Sequence, residues 1–277
     1  MAQVAVVTGG GGGIGLAIAA RIVAMGGAVV IGDLNETRGN DAVAELGDRA
    51  RFVRVDVAEE SDVAEIVAAA VDSFGRLDVM FNNAGVGGAF GPITEQTVEA
   101  WDTTFAIDVR SVFLGTKHAA RQMIAQGGGG SIVNTASIAG LTGGGGPQAY
   151  SAAKAAVIGL TKATAVELAE HRIRVNAVCP GAVYTELLHR GRPEQTDVWR
   201  EQIQPWPDRG EPAMIADVAC WLAGDEARFV TGEAVVADGG LMAAAPRLLD
   251  HDLPHLRRMA GIAYGNTGRD AEVRRLS

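Results

Sequence analysis

Val4-Ala5-Val6-Val7-Thr8-Gly9-Gly10-Gly11-Gly12-Gly13-Ile14-Gly15 stands near the start of the chain, and its reading decides the fold class. Val4 to Val7 is an unbroken apolar run, mostly β-branched, of the kind found in strands covered on both faces. The glycines cannot continue a strand, and a helical pattern spanning roughly 14–26 begins at Ile14. Glycine lets the backbone turn sharply and come close to a ligand with no Cβ in the way. A helix N-terminus directly after such a turn offers free N–H groups and the positive end of its dipole, the requirements for binding phosphate.

The same alternation continues outward. Strands are expected at Val4–Thr8, Ala28–Asp33, Arg51–Asp56, Leu77–Asn82, Ser131–Ala136, Arg172–Cys179 and Ala234–Asp238, with helices near 14–26, 36–47, 59–74, 98–126, 147–170 and 211–224. This β-α-β rhythm predicts an α/β fold: a Rossmann-type, doubly wound parallel sheet of about seven strands with helices on both faces. One dinucleotide-binding and catalytic domain is expected over 1–245. A C-terminal extension over 246–277 is expected to dock in part. Residues 182–210 fall outside the rhythm and read as a long connection of lid or binding-loop type.

The second strand ends in Asp33, 18 residues past Gly15. A carboxylate there accepts hydrogen bonds from ribose hydroxyls and repels a 2′-phosphate. No Arg or Lys lies within Thr8–Gly15 or directly after Asp33, so NAD is expected over NADP. Gly9, Gly13, Ile14 and Gly15 are the candidate contacts of the turn.

Bulk properties exclude other classes. The net charge is −9 with no basic run, against nucleic-acid binding. No apolar stretch reaches the roughly 18 residues of a membrane span, and no signal peptide is evident before the first strand. Cys179 and Cys220 form no CxxC pair and read as buried small hydrophobes of a reducing cytoplasm. The five histidines show no zinc-site spacing, so no metal is expected.

Tyr150-Ser151-Ala152-Ala153-Lys154 lies in a helical segment, where i, i+4 spacing sets Tyr150 and Lys154 on one face. An ammonium beside a phenol favours the phenolate, which suits a general base for an alcohol proton. Taken with the glycine turn, Asp33, Asp56-Val57, Asn82-Asn83-Ala84-Gly85, Ser137, Pro180-Gly181 with Thr185, and Asp238-Gly239-Gly240, the chain resembles the short-chain dehydrogenases/reductases over about residues 3–242.

The resemblance implies a role for each position. Tyr150 would exchange the proton with substrate oxygen, Lys154 would assist it and hold the nicotinamide ribose, and Ser137 would hydrogen-bond the substrate oxygen. Asp56 and Val57 would flank the adenine, and Asn83, Ala84 and Gly85 would run beside the ribose and nicotinamide. Pro180, Gly181, Val183 and Thr185 would border the carboxamide. It also implies a homotetramer. One position departs: the family usually has asparagine where this chain has Asp108. Asp108 is expected to keep a water-relay role and to shift the pH optimum through its charge.

Val86, Ile138, Gly143–Gly146, Tyr184, Leu187, Trp199 and Trp206 are candidate walls of the substrate pocket. They are largely apolar, and point to a hydrophobic cyclic or aryl secondary alcohol or its ketone. Arg190, Arg192, Arg200 and Arg209 are the alternative, meeting an acidic substrate. An NADP-dependent ketoreductase and a low-turnover nucleotide-binding scaffold are the competing functions.

Overall fold

The computed structural model describes residues 3–244, 262–263 and 273–274. Seven strands form one parallel sheet in the order β3-β2-β1-β4-β5-β6-β7: β1 Val4–Thr8, β2 Ala28–Asp33, β3 Ala50–Arg54, β4 Val79–Asn82, β5 Gly130–Thr135, β6 Ile173–Pro180 and β7 Ala234–Ala237. The chain winds from β1 out to β3, then returns to place β4 on the other side of β1. That reversal opens a crevice at the carboxyl ends of β1 and β4, where such sheets bind ligands.

The two faces are set by the two-residue period of a strand. Val4 and Val6 of β1 pack with Val30 on one face, under α3 (Glu60–Phe74), α5 (Ser111–Gln126) and α6 (Gln148–Leu168), through Ile66, Val67, Leu114, Met123 and Leu168. Ala5 and Val7 pack with Val29 and Ile31 on the other, under α1 (Gly13–Ala24), α2 (Glu36–Leu46) and α9 (Pro212–Ala223), through Ile18, Ile22, Ala42, Ile215 and Leu222. Burial on both faces explains why β1 carries no polar alternation. The doubly wound parallel sheet is as the sequence predicts.

Two expected elements differ. The helix expected over 98–126 is α4 (Val98–Phe105), a π-helical segment Ala106–Arg110, and then α5. The connection expected over 182–210 contains α7 (Glu186–His189) and α8 (Pro193–Ile203). Pro193 at the first helical position and Thr185, whose hydroxyl accepts from the Leu188 N–H, are the local starts. The chain divides into two compact units, Met1–Gly240 and Leu241–Ser277; within the second, β8 (Ile262–Ala263) and β9 (Val273–Arg274) pair antiparallel. Docking of the extension falls outside the described residues.

A line of amides and hydroxyls crosses the core. Asn82 Nδ2 donates to Thr116 Oγ1 (3.3 Å) and Asn134 Oδ1 (2.8 Å), and Asn134 Nδ2 donates to Thr161 Oγ1 (2.9 Å). All four residues are buried, so each bond lacks competition from water, and an orphaned partner costs its full desolvation. Asn134→Ala is expected to destabilise the fold by about 2–4 kcal/mol, read as a lower urea midpoint with an unchanged slope. A loss below roughly 0.5 kcal/mol would show that the line carries no stability.

Candidate active site

The glycine turn is built for close approach. Gly9 (φ +65°) lies where a Cβ would come within 2.9 Å of Ala84 Cα, and a Cβ on Gly15 would overlap the Gly9 carbonyl oxygen. The helix end at Gly12 carries no side-chain cap and no acidic residue in its first turn. Its dipole and N–H groups are therefore left for an anion. A cradle that side chains would fill, ending at an uncapped helix, fits the phosphates of a dinucleotide.

Thr8 and Asn83 tie this turn to β4. Thr8 Oγ1 accepts from the N–H groups of Asn83 (3.0 Å) and Ala84 (3.1 Å), while Asn83 Nδ2 donates to the Thr8 carbonyl (3.0 Å). Thr135 Oγ1, at the end of β5, donates to Asn83 Oδ1 (3.2 Å). Three neighbouring strand ends are thereby locked in register.

Asp33 is partly committed within the turn. Its Oδ2 accepts from Gly11 N–H and its Oδ1 from Asn35 N–H, both at 2.9 Å. Asn35 caps α2 through Arg38 N–H (3.0 Å), and this brings back a cation that the sequence reading missed. Arg38 Nη1 lies 3.8 Å from where a Cβ on Gly12 would stand. Its Nη2 pairs with Glu186 Oε2 at 2.6 Å. The i+3 position after a cap was the available signal. Asp56 Oδ1 accepts from Ala58 N–H (3.0 Å), and Val57 is buried beside it.

Lys154 is the centre of the second cluster. Buried to 3% exposure, its Nζ donates to the Thr135 carbonyl (3.2 Å), lies 3.7 Å from Asp108 Oδ1, and stands 5.5 Å from the centroid of the Tyr150 ring. Ser137, two residues beyond Thr135, is buried and accepts from Ala139 N–H through its hydroxyl (3.1 Å). Gly85 runs directly over the pair: a Cβ on it would lie 2.8 Å from Asp108 Oδ1 and 3.2 Å from Lys154 Nζ.

Asp108 sits in the π-helical segment with 0% exposure. Its Oδ1 accepts from Val86 N–H (2.9 Å), and its Oδ2 is buried with no hydrogen-bond partner. Burial raises the Asp108 carboxyl above its ordinary pKa; the Lys154 charge and the Val86 N–H oppose this without cancelling it. Nearby Cys179 is free, and burial pushes its thiol up to about 11.

Beyond β6, a Cβ on Gly181 would lie 2.6 Å from Asp238 Cβ, which places the Pro180-Gly181 turn against the Asp238-Gly239-Gly240 turn. Val183 is bridged to Gly210, and Thr185 leans over the phosphate turn, its Cγ2 3.4 Å from where a Cβ on Gly13 would be.

The expected pocket walls are only partly met. Trp199 and Trp206 are 45% and 58% exposed, and Leu187 is exposed too. The reason is that Arg200 of α8 and Gln204, which caps it, are buried instead. Arg200 Nη1 donates to the Pro207 carbonyl (3.2 Å), and Gln204 Nε2 to the carbonyls of Trp206 and Asp208 (both 2.8 Å). Inward-facing polar groups therefore fold the 205–209 segment, and the tryptophans turn out. Val86 lines a cavity of about 450 Å³ with Gly87, Gly88, Ala89, Thr104 and Ile107.

Among the described residues no helix is long and apolar enough to cross a membrane, and no three His, Cys, Asp or Glu side chains converge as a metal site.

Residues 9–242 match the family model described as Enoyl-(Acyl carrier protein) reductase. The chain is 42% identical to the 2,5-dichloro-2,5-cyclohexadiene-1,4-diol dehydrogenase of Sphingobium indicum, over 86% of this chain and 96% of that protein. It is 43% identical to the cis-4-hydroxycyclohexanecarboxylate dehydrogenase of Sinomonas cyclohexanicum, over 87% and 97%. The crystal structure of levodione reductase superposes with a TM-score of 0.84 at 34% identity, over 88% of this chain and 99% of that one. The glycine cradle, the Tyr150/Lys154 pair and these matches make the chain an oxidoreductase of the nicotinamide-using kind, a member of the short-chain dehydrogenase/reductase family.

Proposed function

We propose that this chain is an NAD-dependent dehydrogenase that interconverts a hydrophobic cyclic or aryl secondary alcohol and its ketone, with Tyr150 as the acid/base. The observation that carries this reading is the buried Lys154 ammonium, held by the Thr135 carbonyl 5.5 Å from the Tyr150 ring centroid. The relatives named above support the substrate class, since two of them are named for alcohols on a six-carbon ring.

In the oxidising direction Tyr150 takes the hydroxyl proton, and the Lys154 charge stabilises the phenolate that accepts it. Ser137 donates to the substrate oxygen and stabilises its developing negative charge. A bound dinucleotide would supply the hydride acceptor for the carbinol carbon, or the donor for the ketone. The Gly9–Gly15 turn would hold its phosphates, Asp56 and Val57 would flank its adenine, and Asn83–Gly85, Pro180, Gly181, Val183 and Thr185 would border the nicotinamide end. Asp33, which accepts from the Gly11 N–H, would repel a 2′-phosphate at the turn, and Arg38 beside Gly12 is paired with Glu186, which supports NAD.

Asp108 keeps a relay role behind Lys154, with its unpartnered Oδ2 as the acceptor for a water or for its own proton. The same reading places the protein in the cytoplasm as a homotetramer. Apolar side chains left exposed on the helices support assembly: Phe113 and Ile124 on α5 and Val166 on α6.

Three measurements test this reading. Tyr150→Phe is expected to lower kcat by roughly 10²–10⁴ while NADH binding, read by fluorescence titration, stays within a few-fold; retained turnover removes the proposed base. Kinetics with both cofactors are expected to favour NAD, and Asp33→Ala to narrow the ratio. The reverse preference overturns the role given to Asp33.

The third concerns Asp108. Its folded pKa is raised, so its contribution to stability is present at low pH and is lost as pH rises through the folded value. The Tm gap, Asp108→Asn minus wild type, should therefore widen as pH rises from the acid side to neutrality. Removing a negative charge beside Lys154 should also move the acid limb of the pH–rate profile to lower pH. A gap that narrows with pH, or an unmoved limb, excludes the charge effect.

A further inference from the structure

The segment 182–210 carries a guanidinium, that of Arg190, whose placement the proposed mechanism does not use. Arg190 caps α7 at φ +46°, ψ +42°, its N–H donating to the Glu186 carbonyl (2.9 Å). A left-handed cap of this sort is ordinarily glycine, because a Cβ crowds the following carbonyl there. An outlier held in place by its surroundings points to a use for the side chain.

That side chain reaches across the cleft. Its guanidinium carbon lies 3.9 Å from the Phe90 ring centroid, and its Nη2 is 3.2 Å from where a Cβ on Gly87 would stand. Gly87 lies between two residues that touch the reacting cluster. Gly85 abuts Lys154 Nζ, and a Cβ on Gly88 would lie 3.3 Å from the Tyr150 backbone nitrogen. The charge is thereby held at the rim of the proposed substrate site.

Three other guanidinium groups around the lid and the glycine turn are engaged with carboxylates. Arg38 is paired with Glu186 (2.6 Å), Arg209 with Glu211 (2.7 Å), and Arg200 with Glu201 (3.4 Å). Among the described residues Arg190 has no carboxylate partner; its one side-chain hydrogen bond runs from Nε to the Leu187 carbonyl (3.4 Å). An aromatic ring takes the face of a guanidinium and leaves its in-plane N–H groups free. Those groups form a fork matched to a carboxylate.

We propose that Arg190, laid on Phe90 at the mouth of the cleft, anchors a carboxylate of the substrate, so that the preferred alcohol bears an acidic group on the end remote from its carbinol carbon. This rests on the dehydrogenase reading and narrows its substrate. In a chain of net charge −9, an acidic substrate meets general repulsion, and a local unpaired cation is what admits it.

The test compares matched substrates. Oxidation of 4-hydroxycyclohexanecarboxylate, its methyl ester and cyclohexanol is followed in wild type, Arg190→Met and Arg190→Lys. Wild type is expected to prefer the acid over the ester by roughly tenfold or more in kcat/KM, carried mainly by KM. In Arg190→Met that ratio falls close to unity, and Arg190→Lys restores part of it. An arginine that only clasps the lid would lower acid and ester alike, so an unchanged ratio overturns the anchor, as does wild type with no preference for the acid. If none of the three alcohols reduces NAD or NADP, the dehydrogenase reading falls and the anchor with it. If the ester and cyclohexanol are oxidised without an acid preference, the anchor alone falls.

Discussion

A lysine ammonium with almost no water around it governs the arrangement of this site. A buried charge is costly unless it is paired and hydrogen-bonded. Lys154 meets that requirement from three directions: the Thr135 carbonyl at the end of β5, Asp108 from the π-helical segment, and the Tyr150 ring one turn back on α6. Each partner belongs to a different element, so the charge fixes how β5, the segment between α4 and α5, and α6 meet. Gly85 must be glycine-like for the same reason, since any Cβ there would press on both members of the ion pair.

The cofactor half rests on a second, uncharged constraint. Thr8 and Asn83 satisfy one another's backbone groups across the crevice between β1 and β4. The strand ends there have no further ladder partners, and a side-chain amide and a hydroxyl supply them. Thr135 joins both halves: its hydroxyl donates to Asn83 and its carbonyl accepts from Lys154. The glycine turn and the Lys154 cluster thus share one residue as their common reference.

What was legible in the sequence is what local chemistry dictates. A glycine run between an apolar strand and a helix, a carboxylate at the next strand end, and an i, i+4 Tyr–Lys pair each announce themselves within a few residues, and the seven strands follow from two-sided burial. The π-helical turn around Asp108 left no comparable mark, because one extra residue in a helix does not disturb apolar periodicity enough to be read. The lid was misread for a related reason. Composition points Trp199 and Trp206 inward, yet Arg200 and Gln204 win the interior by binding four carbonyl and carboxylate oxygens that no indole could satisfy. Arg38 beside Gly12 depends on how α2 is capped and on a partner 148 residues away, which spacing alone does not show.

Asp108 carries the sharpest tension in the molecule. An amide in its place would keep an acceptor for the Val86 N–H but remove the charge that faces Lys154 at 3.7 Å. The carboxylate instead leaves a buried acceptor unmatched, a defect of about 1–3 kcal/mol in general experience. The pull of Lys154 at 3.7 Å offsets burial only in part, since the carboxyl remains raised. The carboxylate answers the Lys154 charge through Oδ1 while Oδ2 stays without a partner, and single-turn π segments gather at functional sites. The unmatched oxygen offers a place for a proton directly behind the lysine that supports the proposed base, on the same carboxyl whose other oxygen faces the Lys154 charge.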